Sequence, residues 1–277
     1  MNRITLPQLV AMADNLPSIP RVVTQILQEL DQEDPQIKRI ATLIAMDPSL
    51  MARMIKLANS AFVGVKRQVH SVEDAFQILG FSHLRALITA IALGSTFKNV
   101  PGINMEHFWR YSLNTAKMAK SLARSLKMND GAAMTAGLVH VIGELILYLG
   151  IAPLMAPLKN IPIFDLNRLA YEHKLLGFDS YDVSATFVEQ WQFPENIVYA
   201  VKHIKAPFED GVYDPMAGVL HMAAWRARAL ELDLDEPTMS SSFPHVIAMV
   251  LQLDMNKVLH EQPSEWASSG EVALMID

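Results

Sequence analysis

The stretch AAMTAGLVHVIGELILYLG, residues 132–150, decides how the rest of the chain must fold. Asn129 before it is a good N-cap and Gly150 is a good C-terminal stop, so the stretch predicts one helix. Apolar residues occupy almost every face, which is typical of a helix buried inside a bundle. His140 and Glu144 are four residues apart and would share one face of this helix. A buried imidazole needs a hydrogen-bond partner or a metal, so the surroundings of His140 become the central question.

Composition indicates a globular chain with a large core. Of the 277 residues, 51% are hydrophobic and 19% are charged, enough for one large domain or two modest ones. The net charge is −6, from 23 basic and 29 acidic residues, and the densest basic group is only Lys66-Arg67. Such a charge distribution does not form a phosphate-tracking surface, so we expect no nucleic-acid partner.

Cysteine usage and hydropathy indicate the compartment. The chain has no cysteine, which excludes disulfides and thiolate metal sites and fits a reducing environment. The N-terminus has no apolar segment of signal-peptide length. The longest apolar region, 137–158, is interrupted by His140, Glu144, Pro153 and Pro157, which a membrane helix tolerates poorly. We therefore expect a cytoplasmic protein that is not embedded in a membrane.

The first hundred residues predict about six short helices. Asp34-Pro35 and Asp47-Pro48 each have the form of an N-cap followed by proline in the first turn. Asn59-Ser60 ends the second of these helices. A capping-box-like start at Ser71 opens the next one, and Gly80 stops it. The turn at Pro101-Gly102 is the first convincing boundary.

The second part is also helical. A long helix is predicted over Met105–Leu126, and further helices follow the buried stretch. Their predicted ranges are Asp165–Leu176, Val183–Trp191, Glu195–Ile204, Met216–Leu230, Phe243–Leu251 and Asn256–Glu261. Because no run alternates like a strand, the fold class is all-α. We expect a helical N-terminal subdomain over 1–100, a helical bundle over 101–262, and a loosely ordered tail over 263–277.

Several short motifs, taken together, resemble one known family. They are LPxIP at 16–20, DPSL at 47–50 with LANS at 57–60, SVxxAxxxLG at 71–80, GLVHxxG at 137–143, ExxxLG at 172–177 and WxxP at 191–194. In this order they resemble the HDOD signalling domains, which derive from the HD-domain metal-dependent phosphohydrolases. The likeness covers about residues 16 to 230 and implies an HD-like bundle packed against an N-terminal helical HDOD subdomain. The motif residues to which we assign structural roles are Asp47, Pro48, Asn59, Ser60, Gly80 and Gly143.

The resemblance also implies where a metal site would lie. Active HD enzymes have a histidine, a His-Asp pair and a later aspartate around one or two divalent ions, whose bound water attacks a phosphate ester. Here the first histidine falls at Tyr111, the pair is His140-Val141, and the last aspartate falls at Ala224. One ligand of four survives, and both negative charges are lost. The usual metal site is therefore expected to be absent, with a degenerate cavity in its place.

The residues expected near this cavity leave two alternatives. They are Tyr111, His140, Glu144, Glu172, His203 and His221. In the first, they line a ligand pocket with no catalytic role; His140 is a core histidine bonded to a side chain or carbonyl, and Glu144 forms a salt bridge. In the second, His140, Glu172 and His203 rebuild a divalent-metal site.

The expected function follows from the first alternative. We expect a non-catalytic HDOD regulatory protein that acts through signalling proteins supplied in trans, with no cofactor. A nucleotide second messenger is a candidate ligand, and a homodimer is a candidate assembly. The alternative function is a metal-dependent phosphohydrolase of the HD superfamily with a rearranged site.

Overall fold

The computed structural model describes residues 4–12, 18–60, 62–64, 67–208, 213–260 and 266–276. Every regular element in these ranges is helical, so the prediction of an all-α fold is confirmed. Leu16 and Pro17 of the first motif, and Lys66, lie outside the described residues. The α-helices are α1 (Leu6–Ala11), α2 (Arg21–Leu30), α3 (Ile37–Ala45), α4 (Pro48–Ala58), α5 (Val72–Thr96), α6 (Met105–Ser125), α7 (Asp130–Val139), α8 (Ile142–Gly150), α9 (Ala152–Met155), α10 (Arg168–Leu176), α11 (Ser180–Gln190), α12 (Glu195–Lys202), α13 (Pro215–Glu231), α14 (Glu236–Ser241), α15 (His245–Val250), α16 (Met255–His260) and α17 (Ser269–Ile276).

Side-chain caps start many of these helices where the sequence predicts them. The Asp47 carboxylate accepts hydrogen bonds from the backbone N–H groups of Ser49 and Leu50. Such bonds satisfy donors that have no partner within the helix. The predicted N-caps Ser71 and Asn129 also form, and Asp179 and Asp214 cap α11 and α13 in the same way. The start predicted at Asp34-Pro35 is wrong, because α3 begins at Ile37 and the Asp34 carboxylate accepts from the Gln36 side chain instead.

The buried stretch 132–150 is two helices and not one, so that prediction is wrong. α7 ends at Val139, Val141 has φ −115° and ψ 7°, and α8 begins at Ile142. The new start brings Gly143 against α11, where its N–H donates to Ser184 Oγ at 2.8 Å. A β-carbon at Gly143 would collide with the Ser180 carbonyl oxygen. Tertiary packing of α8 on α11 therefore compensates for the broken helix.

The helices enclose one contiguous hydrophobic core. α6 packs against α7 and α13, and α11 packs against α8 and α12. α5, from the first hundred residues, packs directly on α7. It is bent at Gly80, whose φ of +72° is readily adopted by glycine. These contacts place α6, α7, α11 and α13 around the region of His140.

Within the segment 263–277, for which we expect a loosely ordered tail, residues 269–276 form the helix α17. α17 packs against α4, α5 and α6, and it buries Val272 and Met275. The Lys117 ammonium forms an ion pair with Glu271 at 2.9 Å, with both side chains almost fully buried. The sequence did not reveal this pairing because its partners are 154 residues apart.

Two helical segments among the described residues are long and apolar enough to cross a membrane. They are Val72–Thr96 and Asp130–Gly150, and the best windows are 61% and 94% buried within the protein. The first is bent at Gly80, and the second is interrupted at Val141. Burial in the helical core accounts for their apolar composition, so they are weak evidence for a membrane segment.

Candidate functional site

A buried arginine that the sequence interpretation missed organises one part of the predicted pocket. Arg168, at the start of α10, donates from Nη2 to Glu144 Oε2 at 2.9 Å and from Nε to Glu172 Oε1 at 2.7 Å. Its Nη1 donates to the carbonyl oxygens of Leu158 and Ile161 at 2.7 and 2.9 Å. All three charged side chains are 1% exposed or less. We call Arg168, Glu144 and Glu172 the Arg168 cluster.

The carboxylates of the Arg168 cluster are fully engaged. The second Glu172 oxygen accepts the backbone N–H of Ser180 at 2.7 Å. Burial, and next the nearby charge of Glu172, raise the pKa of Glu144 well above its ordinary value, against the opposing effect of Arg168. The salt bridge predicted for Glu144 is thus confirmed. The sequence contains two signals of this cluster, namely the i, i+4 spacing of Arg168 and Glu172 and the need of a carboxylate in an apolar helix for a cation, but neither signal pairs Arg168 with Glu144.

His140 is a neutral imidazole whose hydrogen bonding is half satisfied. It is fully buried, and Nδ1 lies 2.7 Å from the carbonyl oxygen of Gly137. Burial, and to a lesser extent the charge of Arg228, lower the pKa of His140 to about 3, although the bond to Gly137 opposes them. Because a carbonyl can only accept, Nδ1 carries the proton and Nε2 presents a lone pair. Nε2 has no hydrogen-bond partner among the described residues.

Three further polar side chains surround His140. The ring centroids of Tyr111 and Tyr181 lie 5.3 and 5.8 Å from the imidazole centroid. The Arg228 guanidinium donates from Nη2 to the Tyr181 hydroxyl at 3.3 Å. The Tyr111 hydroxyl is near enough to influence the pKa of both Tyr181 and Arg228, but it makes no well-formed hydrogen bond. We call Tyr111, His140, Tyr181 and Arg228 the His140 cluster.

Arg228 is the positive charge of the His140 cluster. Burial would lower its pKa, but the two tyrosines outweigh that effect and the pKa is raised, so the guanidinium stays charged. Its Nε is buried without a partner, and within the described part of the chain no carboxylate pairs with it. Arg228 lies on α13, one turn after Ala224. Ala224 is the position at which the family resemblance implies a carboxylate ligand. Sequence reasoning missed Arg228, although the helical spacing of His221, Ala224 and Arg228 places all three on one face.

The remaining predicted residues divide between the two clusters and the surface. His221 is partly buried beside the His140 cluster. Its Nδ1 lies 2.7 Å from the Ile204 carbonyl, and burial, followed by the charge of Arg228, lowers its pKa. His203 ends α12 and stacks on Tyr199 at 4.0 Å between ring centroids. The structure therefore brings together Tyr111, His140 and His221, and separately Glu144 and Glu172.

The divalent metal that the resemblance implies does not fit these residues. A divalent ion needs negatively charged ligands or several neutral ligands. The His140 cluster offers one imidazole lone pair, which lies beside the positively charged Arg228 guanidinium. His140, Glu172 and His203 do not form a group with mutually close ligand atoms, so the rearranged site is not assembled. Where side chains are described, the group with such spacing is His173, Asp179 and Asp182.

That second group already holds a cation of the chain itself. The Lys205 ammonium donates to Asp179 Oδ2 and Asp182 Oδ1, both at 2.8 Å. One Asp179 oxygen also caps α11, so the carboxylates serve structure. We assign this group no ligand.

The family-motif residues in the first part fix the backbone. The Asn59 side chain donates to the Val69 carbonyl and accepts the Val69 N–H, both at 2.8 Å, which joins the end of α4 to the segment before α5. The Ser60 hydroxyl donates to the Leu57 carbonyl at 2.8 Å. Pro48 occupies the first turn of α4 after the Asp47 cap. These contacts support helix ends and contribute no reactive group.

Comparisons with known proteins agree on a family and a fold. A model of the HDOD domain matches residues 16–207. A solved structure of a presumed phosphohydrolase from Shewanella amazonensis is 26% identical with a TM-score of 0.79, covering 97% of this chain and 98% of that one. A presumed signal transduction protein from Marinobacter aquaeolei is 23% identical with a TM-score of 0.73, covering 100% of this chain and 62% of that one. An HDOD domain protein of unknown function from Geobacter sulfurreducens is 21% identical with a TM-score of 0.66, covering 97% and 91%. The latter two show the fold alone.

Two curated bacterial relatives are longer than this chain. An uncharacterized protein of Treponema pallidum is 22% identical over 229 residues, which are 79% of this chain and 43% of the relative. The Bacillus subtilis protein YuxH, also uncharacterized, is 28% identical over 124 residues, 44% of this chain and 30% of the relative. The chain thus spans less than half the length of either relative.

Proposed function

The chain belongs to the HDOD domain family, and from that premise we propose that it is a non-catalytic signal-transduction protein that acts through protein contacts. The observation that carries the proposal is the charge at the position of the expected metal. A neutral imidazole there adjoins the Arg228 guanidinium, and the two carboxylates predicted for the pocket, Glu144 and Glu172, are bonded to Arg168. In this proposal the His140 cluster is a degenerate metal site, and its polar groups are able to contact a small ligand.

The missing metal ligands argue against hydrolytic activity. Even the loss of a group that only supports a ligand typically costs ~10–100-fold in metal affinity or activity, and here three ligand positions carry Tyr111, Val141 and Ala224. The Arg228 charge adds repulsion of a cation. A phosphohydrolase would need to assemble its metal from other groups, and the set of His140, Glu172 and His203 is not assembled.

Contacts with other proteins have a candidate surface on α15. Val246 and Met249 are three residues apart and are 67% and 72% exposed. Side chains at that spacing share a helix face, and an exposed apolar pair favours a protein partner. We propose cytoplasmic signalling proteins as the partners, with a homodimer as a further arrangement, and neither a nucleic acid nor a membrane.

Metal analysis combined with turnover tests this proposal. Purified protein, loaded with Mn²⁺ or Zn²⁺ and then desalted, is analysed by mass spectrometry for metal and assayed on a chromogenic phosphate ester. We expect less than about 0.1 ion per chain and no metal-dependent turnover. A stoichiometric ion that is lost in His140→Phe, together with turnover lost in the same variant, would establish the phosphohydrolase instead.

Partner binding is tested by titration with purified response-regulator receiver domains. The matched variant is Val246→Glu with Met249→Glu, which places two charges on the exposed face and leaves the core unchanged. We expect saturable binding that the double variant weakens by about tenfold or more. Equal binding by both proteins would remove α15 as the contact surface.

A further inference from the structure

The His140 cluster contains three buried polar atoms that make no well-formed hydrogen bond. Tyr111 Oη, His140 Nε2 and Arg228 Nε are all buried, and none has a hydrogen-bond partner within the described chain. Buried polar groups in folded proteins are almost always paired, so such a concentration calls for a specific cause. The three residues come from α6, the end of α7 and α13, and the cluster is thus built by elements far apart in sequence.

The charge of the cluster indicates the class of ligand. Arg228 is a guanidinium without a carboxylate, in contact with the neutral hydroxyl of Tyr181 at 3.3 Å. The histidines beside it, His140 and His221, each place Nδ1 2.7 Å from a backbone carbonyl oxygen, and neither supplies a negative charge to offset the guanidinium. An isolated buried charge is costly, and an oxyanion is the natural complement of an arginine.

The His140 tautomer narrows that class further. Nδ1 donates to the Gly137 carbonyl, which leaves Nε2 as a hydrogen-bond acceptor. An anion that fills the cluster must therefore accept from Arg228 and Tyr111 and also donate one hydrogen to Nε2. A protonated phosphoryl group has both properties, whereas sulfate and phosphodiesters at neutral pH have no O–H to donate.

We propose that the His140 cluster binds a phosphoryl monoanion or hydrogen phosphate, with Arg228 and Tyr111 donating to its oxygens and His140 accepting its proton-bearing oxygen. The arginine takes the place of the metal as the source of positive charge. This inference rests on the proposed non-catalytic function and specifies its ligand. No covalent step occurs, since no activated nucleophile lies in the cluster.

Two sources could supply this group, namely free phosphate and the terminal phosphate of a mononucleotide. Isothermal titration at about pH 6, where a phosphate monoester is half protonated, compares inorganic phosphate, a nucleoside monophosphate, sulfate and a cyclic dinucleotide at matched ionic strength. We expect phosphate or the monophosphate to bind at least about tenfold more tightly than sulfate. Tighter binding of the nucleotide than of phosphate would identify the nucleotide as the source.

Variants assign the binding to the cluster. Arg228→Gln should weaken phosphate binding by about tenfold to a hundredfold, and Tyr111→Phe by about threefold to tenfold. His140→Phe keeps the ring but removes the acceptor, so phosphate should then bind no better than sulfate. Arg226→Gln is the matched control, because Arg226 is a buried arginine two residues away whose guanidinium lies 5.1 Å from the Trp266 ring centroid, and it should bind phosphate like the wild type.

Several outcomes would overturn the proposal. If wild-type protein shows no binding at millimolar phosphate, trapped water satisfies the three atoms and the inference fails, while the absence of metal-dependent turnover would still stand. Equal affinity for sulfate and phosphate would show that His140 Nε2 does not accept a hydrogen bond from the bound anion. Loss of binding in Arg226→Gln but not in Arg228→Gln would place the anion elsewhere. Circular dichroism of every variant, and Arg228→Lys as the charge-conserving replacement, separate a binding defect from a folding defect.

Discussion

The two buried arginines of this protein, Arg168 and Arg228, differ in how completely their charge is compensated. Arg168 has two carboxylates and two carbonyl oxygens around its guanidinium. Arg228, on α13, donates a hydrogen bond to the Tyr181 hydroxyl, and its Nε has no hydrogen-bond partner among the described residues. A saturated buried charge serves the fold, whereas an unsaturated one marks the place at which the protein can still accept a ligand.

The residues of the predicted pocket fall into two groups, one around each arginine, and the two groups have distinct roles. Glu144 and Glu172 belong to the Arg168 cluster and join α8 to α10. Tyr111, His140 and His221 lie around Arg228. A single pocket containing all of these residues, as the sequence suggests, would have balanced its charges internally. The observed separation leaves the His140 cluster with a net positive charge.

Removal of the saturated arginine should have the largest effect on stability. Arg168→Met leaves two carboxylates buried without a cation, and breaking a buried pair typically costs ~3–5 kcal/mol. Urea unfolding at pH 7 measures the free energy of unfolding. Arg124→Gln, which removes the exposed ion pair with Asp130, is the control and should cost less than about 1 kcal/mol. A loss below about 1 kcal/mol in Arg168→Met would contradict a structural role for the Arg168 cluster.

An intermediate effect is expected where one buried cation meets one carboxylate. Lys117→Met leaves Glu271 without its ammonium partner and should cost about 3 kcal/mol. Hydrogen exchange in α17 measures the same change locally, since this ion pair joins α17 to α6. The double variant Lys117→Met with Glu271→Leu removes both charges and should recover most of the loss. Unchanged exchange in the single variant would show that α17 is held by its apolar side chains alone.

Acid should destabilise the protein through the His140 cluster. The pKa of His140 is about 3 in the folded state and near its ordinary 6.5 when unfolded. Between these values the unfolded chain binds a proton that the folded chain does not, so stability falls as pH falls, by up to ~1.4 kcal/mol per pH unit. His83 and His221, whose pKa values are also lowered, contribute in the same direction.

The variant His140→Phe isolates the share of His140. Urea unfolding between pH 7.5 and 5 should give a shallower pH dependence for the variant than for the wild type. If the two curves are parallel, His140 binds its proton over the same pH range in the folded and unfolded states, and burial does not lower its pKa.

The smallest effect on stability is expected at Arg228 in the absence of phosphate. Arg228→Gln deprives no carboxylate of a partner and removes a costly buried charge, so the free energy of unfolding should change by less than about 1 kcal/mol in either direction. The measurement is urea unfolding in phosphate-free buffer. A loss of 3 kcal/mol or more would make Arg228 structural like Arg168 and remove the contrast between the clusters.

The sequence predicted the parts of the fold that depend on local chemistry. Asp47, Ser71 and Asn129 cap helices where the sequence predicts them, and Gly80 bends the chain where a positive φ is needed. The burial of His140 also followed from its apolar neighbours. These features require only residues close together along the chain.

Features that depend on distant partners were missed. No glycine or proline stands at Val141 to signal the break between α7 and α8. The break is stabilised by the packing of Gly143 on Ser180 and Ser184, which are distant in sequence. Arg168 and Arg228 lie 24 and 88 residues from Glu144 and His140, too far for helical spacing to relate them. A general rule would still have helped, since a glutamate in a wholly apolar helix requires a cation from elsewhere.

The most direct test of the central claim, that a fixed cation has replaced the metal, is a crystal structure of the protein grown with both Mn²⁺ and phosphate, with data collected at a wavelength that gives anomalous signal from manganese. We expect tetrahedral density between Arg228, Tyr111 and His140 Nε2, without an anomalous peak there. A manganese peak within bonding distance of His140 Nε2 would contradict it.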